Sequence, residues 1–278
     1  MDIKNFITRA LSGFVYVLII VLGIMTSKYA FVGLCALLTF LATREFLVMT
    51  KPEGSKFVLW LDVIVLTLVI TLIAMCMVCG VDICGMVLIG LSCIYLLSRP
   101  IIQLYNSKEN PIKSIAYSLM ALVYIVLPMF AMIVIYEYSQ QLLLLLFIMI
   151  WLNDTGAYLV GCTMGKHRLF ERISPKKSWE GFWGGMLFSA IAGVVYYSLG
   201  FETQNELDSA YACALLGIVV SIFATFGDLV ESMFKRSLGV KDSGNLIPGH
   251  GGILDRIDSL LFVLPASVVL IFLLSVIF

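Results

Sequence analysis

Long apolar runs, broken by short polar segments, follow one another along the whole chain. Windows of about 19 residues mark nine such runs, near residues 11–26, 29–43, 57–78, 82–98, 115–136, 141–161, 182–200, 210–232 and 260–278. The second is short, and the sixth and eighth carry acids. Only helices and closed barrels satisfy their backbone in hydrocarbon, and uninterrupted runs of this length are helical. The pattern predicts an all-α integral membrane protein with about nine transmembrane helices. The first run follows Lys4 and Arg9 and lacks a small-x-small cleavage pattern at its end, so it reads as a signal anchor. No tandem repeat or low-complexity segment stands out.

Composition supports this reading, with 61% hydrophobic and 13% charged residues against about half and about a quarter in soluble domains. The seven cysteines fall almost entirely within apolar runs. Cys76 and Cys79 form a C-x-x-C with no second pair or histidine at metal-ligand spacing, so they read as small apolar filler.

The zero net charge conceals a segregation. With nine spans and a cytoplasmic N-terminus, 17 of the 18 basic residues fall on the cytoplasmic side, and only Lys28 lies outside. The outer loops carry Asp82, Glu137, Glu202, Glu206 and Asp208. This one-sidedness predicts a cytoplasmic N-terminus and an outer C-terminus. Polar chemistry is sparse in the N-terminal region, residues 1–114 with about four spans, which is expected to be scaffold and dimer contact. It concentrates in residues 115–278, with cytoplasmic loops at 161–181 and 235–259.

Ionisable residues inside spans cost a few kcal/mol each and call for a partner or a function. Asp62 lies early in the third run and is expected to reach water and be structural. Asp154 sits in "WLNDTGAYLVG", inside the sixth. Asp228, Glu231, Ser232 and Lys235 stand at i, i+3, i+4 and i+7, one face of a helix. Asp255 and Asp258, at i and i+3, share a face if their stretch is helical. Three carboxylates from two helices suit Mg²⁺, which binds through one or two carboxylates plus substrate phosphates. The bland alternative is salt bridging to Lys235, Arg236, Lys241 and Arg256. "PGHGG" (Pro248 to Gly252) reads as a Gly-rich turn able to cradle phosphate. "GKHRLFERISPKKSWEG" (Gly165 to Gly181) supplies Lys166, Arg168, Arg172, Lys176 and Lys177 with the hydroxyls of Ser174 and Ser178, and "SPKKS" places two lysines between hydroxyls after a Pro-fixed turn, a dense arrangement for several phosphates. Neither a Walker A pattern nor a G-x-G-x-x-G is present. His167 and His250 are too few and too distant in sequence to indicate zinc. Acids for Mg²⁺ and bases for polyphosphate at a membrane face describe phosphoryl or nucleotidyl transfer.

The stretch "SMFKRSLGVKDSGNLIPGHGGILDRID" (Ser232 to Asp258) resembles the signature of the phosphatidate cytidylyltransferase (CDP-diacylglycerol synthase) family. "NDTGAY…GK…ISPKKSWEG" and "GDLVES" are similar to that family's other blocks, with Ser178 where the family usually has Thr. The resemblance implies transfer of CMP from CTP to phosphatidate, giving CDP-diacylglycerol and pyrophosphate for phospholipid synthesis. It implies Mg²⁺, a potassium ion near the metal, and a homodimer in the cell membrane with its active site facing the cytoplasm. Its partners are CTP, phosphatidate and membrane lipid, with no nucleic acid. Carried over, Asp228, Asp255 and Asp258 are the metal-binding and catalytic carboxylates, joined by Lys235, Lys241 and His250. Substrate contacts fall to Asp154, Lys166, Ser174, Lys176, Lys177, Ser178, Glu180, Glu231, Ser232, Arg236, Asp242, Gly251, Gly252 and Arg256. Lys176, Lys177, Lys235 and Lys241 would offset the repulsion between two polyanions. His250 and the Gly251–Gly252 amides would contact phosphates, and Arg256 would either join them or orient Asp228.

Two other classes share parts of this pattern. A CTP-dependent lipid kinase would transfer the γ-phosphate to an alcohol and release CDP instead of pyrophosphate. A transporter would place its acids near the bilayer midplane on broken helices, often in paired halves, whereas these acids cluster at one end beside a basic loop.

Overall fold

The computed structural model describes residues 3–50, 55–81, 84–106, 110–200, 207–247 and 251–277. Helices α1 (Ile3–Met25), α2 (Lys28–Thr50), α3 (Lys56–Val78) and α4 (Cys84–Leu104) are followed by α5 (Pro111–Ala121). A π-helical turn (Leu122–Val126) joins α5 to α6 (Leu127–Tyr138), and α7 (Gln140–Met164) comes next. Strands β1 (Arg168–Phe170) and β2 (Ser174–Ser178) precede α8 (Trp179–Ser198), α9 (Ala210–Ser237) and α10 (Leu254–Ile277). Among the described residues, each of the nine apolar runs overlaps a helix. Seven helical stretches among the described residues are long and apolar enough to cross a membrane: α2, α3, α4, the continuous Pro111–Tyr138, α7, α9 and α10. The apolar part of α1, Ala10–Met25, is shorter, and α8, with its glycines, tryptophans and tyrosines, is not among the seven.

Local chemistry explains where the helices start. Asn110 accepts from the Lys113 amide (3.2 Å) with Pro111 just inside the helix. Ser139, Ser178 and Ser209 cap α7, α8 and α9 by accepting from Leu142, Gly181 and Ala212 amides at 3.1–3.2 Å. Each hydroxyl or amide oxygen satisfies one of the N–H groups that a helix start leaves without a partner.

The chain forms two compact units. The first comprises Met1–Ile133 and Asp242–Arg256. Within it α2 packs against α1, α3 and α5, with Phe31, Phe46, Leu66 and Ile70 almost wholly buried. Asp62 does not reach water as expected. It is fully buried, and Arg99 Nε lies 3.1 Å from its Oδ1. Tyr95 and Ser118 donate to the same carboxylate at 2.9 and 2.5 Å. The remaining Arg99 N–H groups reach Gln103 (2.9 Å) and Ser114 (2.8 Å). Arg99, which the charge pattern places in a loop, is an interior residue of α4 because Asp62 gives it a partner there.

The second unit comprises Val134–Lys241 and Ile257–Phe278. Here α8 packs against both α7 and α9. The approach is at backbone distance. A Cβ on Gly181 would stand 2.8 Å from the Ala157 carbonyl. One on Gly185 would stand 2.8 Å from that of Asn153. The small-residue stretch "GFWGG" therefore packs inside the chain. The segment before α8 departs from the all-α expectation. β1 and β2 form an antiparallel hairpin with Arg168 opposite Ser178, so Pro175 lies within a strand and fixes no turn before the two lysines. The Trp179 amide closes it on the His167 carbonyl at 2.9 Å.

Candidate active site

The hairpin and three helices of the second unit enclose a cleft of about 270 Å³. Its walls are Asn153 and Asp154 of α7, Lys176, Lys177 and Ser178 of β2, the first turn of α8, and Thr225 and Asp228 of α9. Asn153 is buried and oriented by its neighbours. Its Oδ1 accepts from Ser221 (2.6 Å), and its amide donates to Asp154 Oδ1 (3.3 Å). Lys177 Nζ lies 2.5 Å from Asp228 Oδ2, with both side chains about a third exposed. Ser232, one turn on, donates to the other Asp228 oxygen at 3.2 Å.

Asp258 enters this group from α10. Gly227 lets α9 and α10 meet backbone to backbone, since a Cβ there would sit 2.7 Å from the Asp258 carbonyl. Ser259 ties the same seam by donating to the Ala224 carbonyl (3.1 Å). The Asp258 carboxylate is 9% exposed and accepts from the Ser259 amide at 2.6 Å. Asp228, Glu231 and Asp154 are the charged groups that act on it. The sequence grouped Asp228 and Asp258 with Asp255; the acids that act on Asp258 are instead Asp228, Glu231 and Asp154. Among the described residues Asp258 has no ion-pair partner, whereas Glu231 is bound by buried Lys235 at 2.7 Å. The bland salt-bridge reading holds for Glu231 and Lys235.

No three carboxylate, imidazole or thiol groups among the described residues stand together as a ready metal site. Asp228 and Asp258 nevertheless fit Mg²⁺. They offer two oxygen ligands in a place where negative charge exceeds positive, which matches an ion completed by substrate phosphates and water. Asp255 is differently employed. Its carboxylate accepts from the Ser243 amide (3.0 Å) and the Gly252 amide (2.8 Å). Gly251 makes that closure possible with a left-handed φ of +85°. The Gly252 amide, expected at a phosphate, is given to Asp255.

Glu180 organises the hairpin. It accepts from the Lys166 and His167 amides (3.1 and 3.2 Å), and His167 Nδ1 lies 2.6 Å from its Oε1. Its own backbone amide, the His167 ring and these neighbouring amides hold its carboxyl down at about 2. Ser178 is buried as the α8 cap, while Ser174 is half-buried in β2. Lys166, Lys176, Lys241, Asp242 and Arg256 are exposed. Exposed Arg236 donates weakly to the Val240 carbonyl at 3.4 Å. His250 lies outside the described residues. The sequence reading did not select Asn153, Thr225 or Glu45. Glu45 carried a usable signal, an acid within an otherwise mostly apolar helix.

The cytidylyltransferase family profile matches residues 7–274. The phosphatidate cytidylyltransferase of Staphylococcus haemolyticus is 54% identical over 119 residues, 43% of this chain and 44% of that protein. That of Staphylococcus aureus strain COL is 52% identical over 122 residues, 43% and 44% of the two chains. That of Staphylococcus saprophyticus is 44% identical over 150 residues, 54% and 56%. The chain spans about half the length of the curated relatives it matches.

Proposed function

The chain belongs to the cytidylyltransferase family, and we propose that it transfers CMP from CTP to phosphatidate, giving CDP-diacylglycerol and pyrophosphate. The observation that carries this reading is the Lys177–Asp228 pair, set with Lys176 and Asp154 in a cleft among apolar helices. Such a cleft offers a lysine pair to polyphosphate and a carboxylate group to a cation, at the edge of hydrocarbon where a lipid phosphate lies.

The nucleophile is a phosphate oxygen of phosphatidate, anionic at neutral pH, so no strong base is needed. Its bond to the α-phosphorus forms as the bond to the β-phosphate bridging oxygen breaks and pyrophosphate leaves. The obstacle is repulsion between two polyanions. Lys176 and Lys177 reduce it at the triphosphate, and Lys177 exchanges Asp228 for phosphate on binding. That exchange frees the Asp228 carboxylate. Asn153, held by Ser221, orients Asp154 at the cleft wall. Asp228 and Asp258 would hold Mg²⁺, which would supply neutralisation of the triphosphate charge. Lys235 keeps Glu231 from adding uncompensated charge beside Asp258. Asp255 acts through the loop that it closes.

We place the cleft at the cytoplasmic face of a cell membrane, in a homodimer of nine-span chains with the N-terminus in the cytoplasm. The charge count supports this: without buried Arg99, 16 of the remaining 17 basic residues lie on that side. Purified protein in detergent with labelled CTP, phosphatidate and Mg²⁺ is expected to yield CDP-diacylglycerol and pyrophosphate in equal amounts. Release of CDP with a long-chain alcohol, and no liponucleotide, would show a lipid kinase instead.

A further inference from the structure

Glu45 sits near the end of α2, in the first unit, and is 4% exposed. Its Oε2 accepts from Ser243 Oγ at 3.1 Å and from the Leu254 amide at 2.9 Å. Leu254 is the first residue of α10. The helix has no internal acceptor for that N–H, and a carboxylate there is also favoured by the helix dipole. The loop is shaped around the carboxylate. A Cβ on Gly244 would stand 2.7 Å from Glu45 Oε1, and one on Gly252 would collide with Oε2 and with Ser243 Oγ. Two glycines of the family-like motif thus leave the space that Glu45 fills.

Asp255 grips the same loop from its other side, through the Ser243 and Gly252 amides. Ser243 is held twice, by its hydroxyl and by its amide, on two carboxylates that come from distant parts of the sequence. The Ile247 amide, donating to the Gly251 carbonyl at 2.8 Å, narrows the loop between these ties. Exposed Arg256 follows two residues after Leu254, and Tyr16 donates to its carbonyl at 3.2 Å.

We propose that Glu45 is a positioning residue for nucleotide binding: its carboxylate ties Ser243 to the first residue of α10, the helix that carries Asp258 four residues further on. This rests on the cytidylyl-transfer reading. Glu45 touches no substrate in it and acts through hydrogen bonds that an amide oxygen can also accept.

The test compares wild type, Glu45→Ala and Glu45→Gln in detergent, by steady-state kinetics with CTP varied and by hydrogen exchange at the Leu254 amide. Glu45→Ala is expected to lower kcat/KM for CTP on the order of 100-fold, since small misplacements remote from the chemistry have effects of that size. Most of the loss is expected in KM, with faster Leu254 exchange. Glu45→Gln is expected to recover most of it. Ser243→Ala, which removes one of the two donors, is expected to move KM and exchange the same way by less, and it decides the matter if Glu45→Ala does not fold. An unchanged KM for CTP in folded Ala variants overturns the proposal, as does wild-type exchange at Leu254. If wild type itself forms no CDP-diacylglycerol, the transfer reading falls and the role of Glu45 in it falls with it. An active wild type beside Ala variants of normal KM removes the role of Glu45 alone.

Discussion

Asp62 and Asp258 are both aspartates buried within apolar helices, but their surroundings differ. Asp62 faces one arginine, a tyrosine and a serine, and Arg99 distributes its other N–H groups to Gln103 and Ser114. Each guanidinium nitrogen has an acceptor, both side chains are fully buried, and the charge is balanced within the group. Asp258 instead shares its surroundings with three further carboxylates, and Lys177, the partner of Asp228 among them, is about a third exposed. A closed and neutral network holds helices together, while an open one with excess negative charge leaves room for a cation and for phosphate. Burial alone therefore does not separate structural from chemical aspartates. Completeness of the partner set does.

The strongest way to break the comparison is to open the closed network. Arg99→Ala leaves a buried carboxylate without its cation and is expected to cost about 3–5 kcal/mol of stability, read as a lower melting temperature in detergent. Converting the pair together, Asp62→Asn with Arg99→Met, is expected to recover much of that loss. Asp258→Asn should do the reverse, leaving melting unchanged or raised because a charge is removed from among like charges. Its expected cost is catalytic: CMP transfer should fall by about 100-fold or more, since even groups that only support a metal ligand contribute 10–100-fold. Full activity in folded Asp258→Asn would contradict the role assigned to that carboxylate.

Smaller effects sharpen the picture of the cleft. Lys177→Ala is expected to raise KM for CTP about tenfold, roughly the value of one charge-assisted hydrogen bond, with little change in melting. Ser178→Ala removes the α8 cap and is expected to cost about 1 kcal/mol of stability. Glu180 provides the mildest and most specific probe. Its carboxyl is held at about 2, below the ordinary 4.5, so the contribution of its hairpin contacts is complete above about pH 4.5. That contribution is lost as pH falls through about 2. Protection of the His167 amide, taken relative to intrinsic exchange at each pH, should fall over that interval in wild type and stay constant in Glu180→Gln.

The helices were legible because a run of about 20 apolar residues has one way to satisfy its backbone in hydrocarbon. The grouping of Asp228, Glu231, Ser232 and Lys235 was equally legible, since helical spacing decides it. What the spacing could not decide was which partner each acid takes. Asp255 and Asp258 are three residues apart on one helix, yet one closes a loop and the other joins the carboxylate cluster. The loop's path over the first turn of α10 separates them, and that path depends on Gly251 and Ser243 together. Asp62 and Glu45 were misjudged or passed over for a similar reason. Each has partners far along the sequence, Arg99 and Ser118 for one, Ser243 and Leu254 for the other. The hairpin escaped notice because three-residue and five-residue strands carry too few positions for an alternating pattern. Its closure depends on Glu180, which lies outside both strands.

The π-helical turn at Leu122–Val126 has a consequence for how this span tolerates length changes. Such a turn accommodates one residue more than an α-helical turn would. It confines that surplus to a few positions, so the stretches on either side keep their own facing. Ser114 and Ser118 stay on the Arg99 side, while Met129, Met132 and Ile133 stay in the core. A single-residue deletion inside Leu122–Val126 would convert the turn to ordinary α-helix and leave both facings intact. The same deletion in α5, or early in α6, would rotate one stretch by about 100° against the other, given 3.6 residues per turn. The span therefore has one internal site at which its length can change by a residue without scrambling what each side touches.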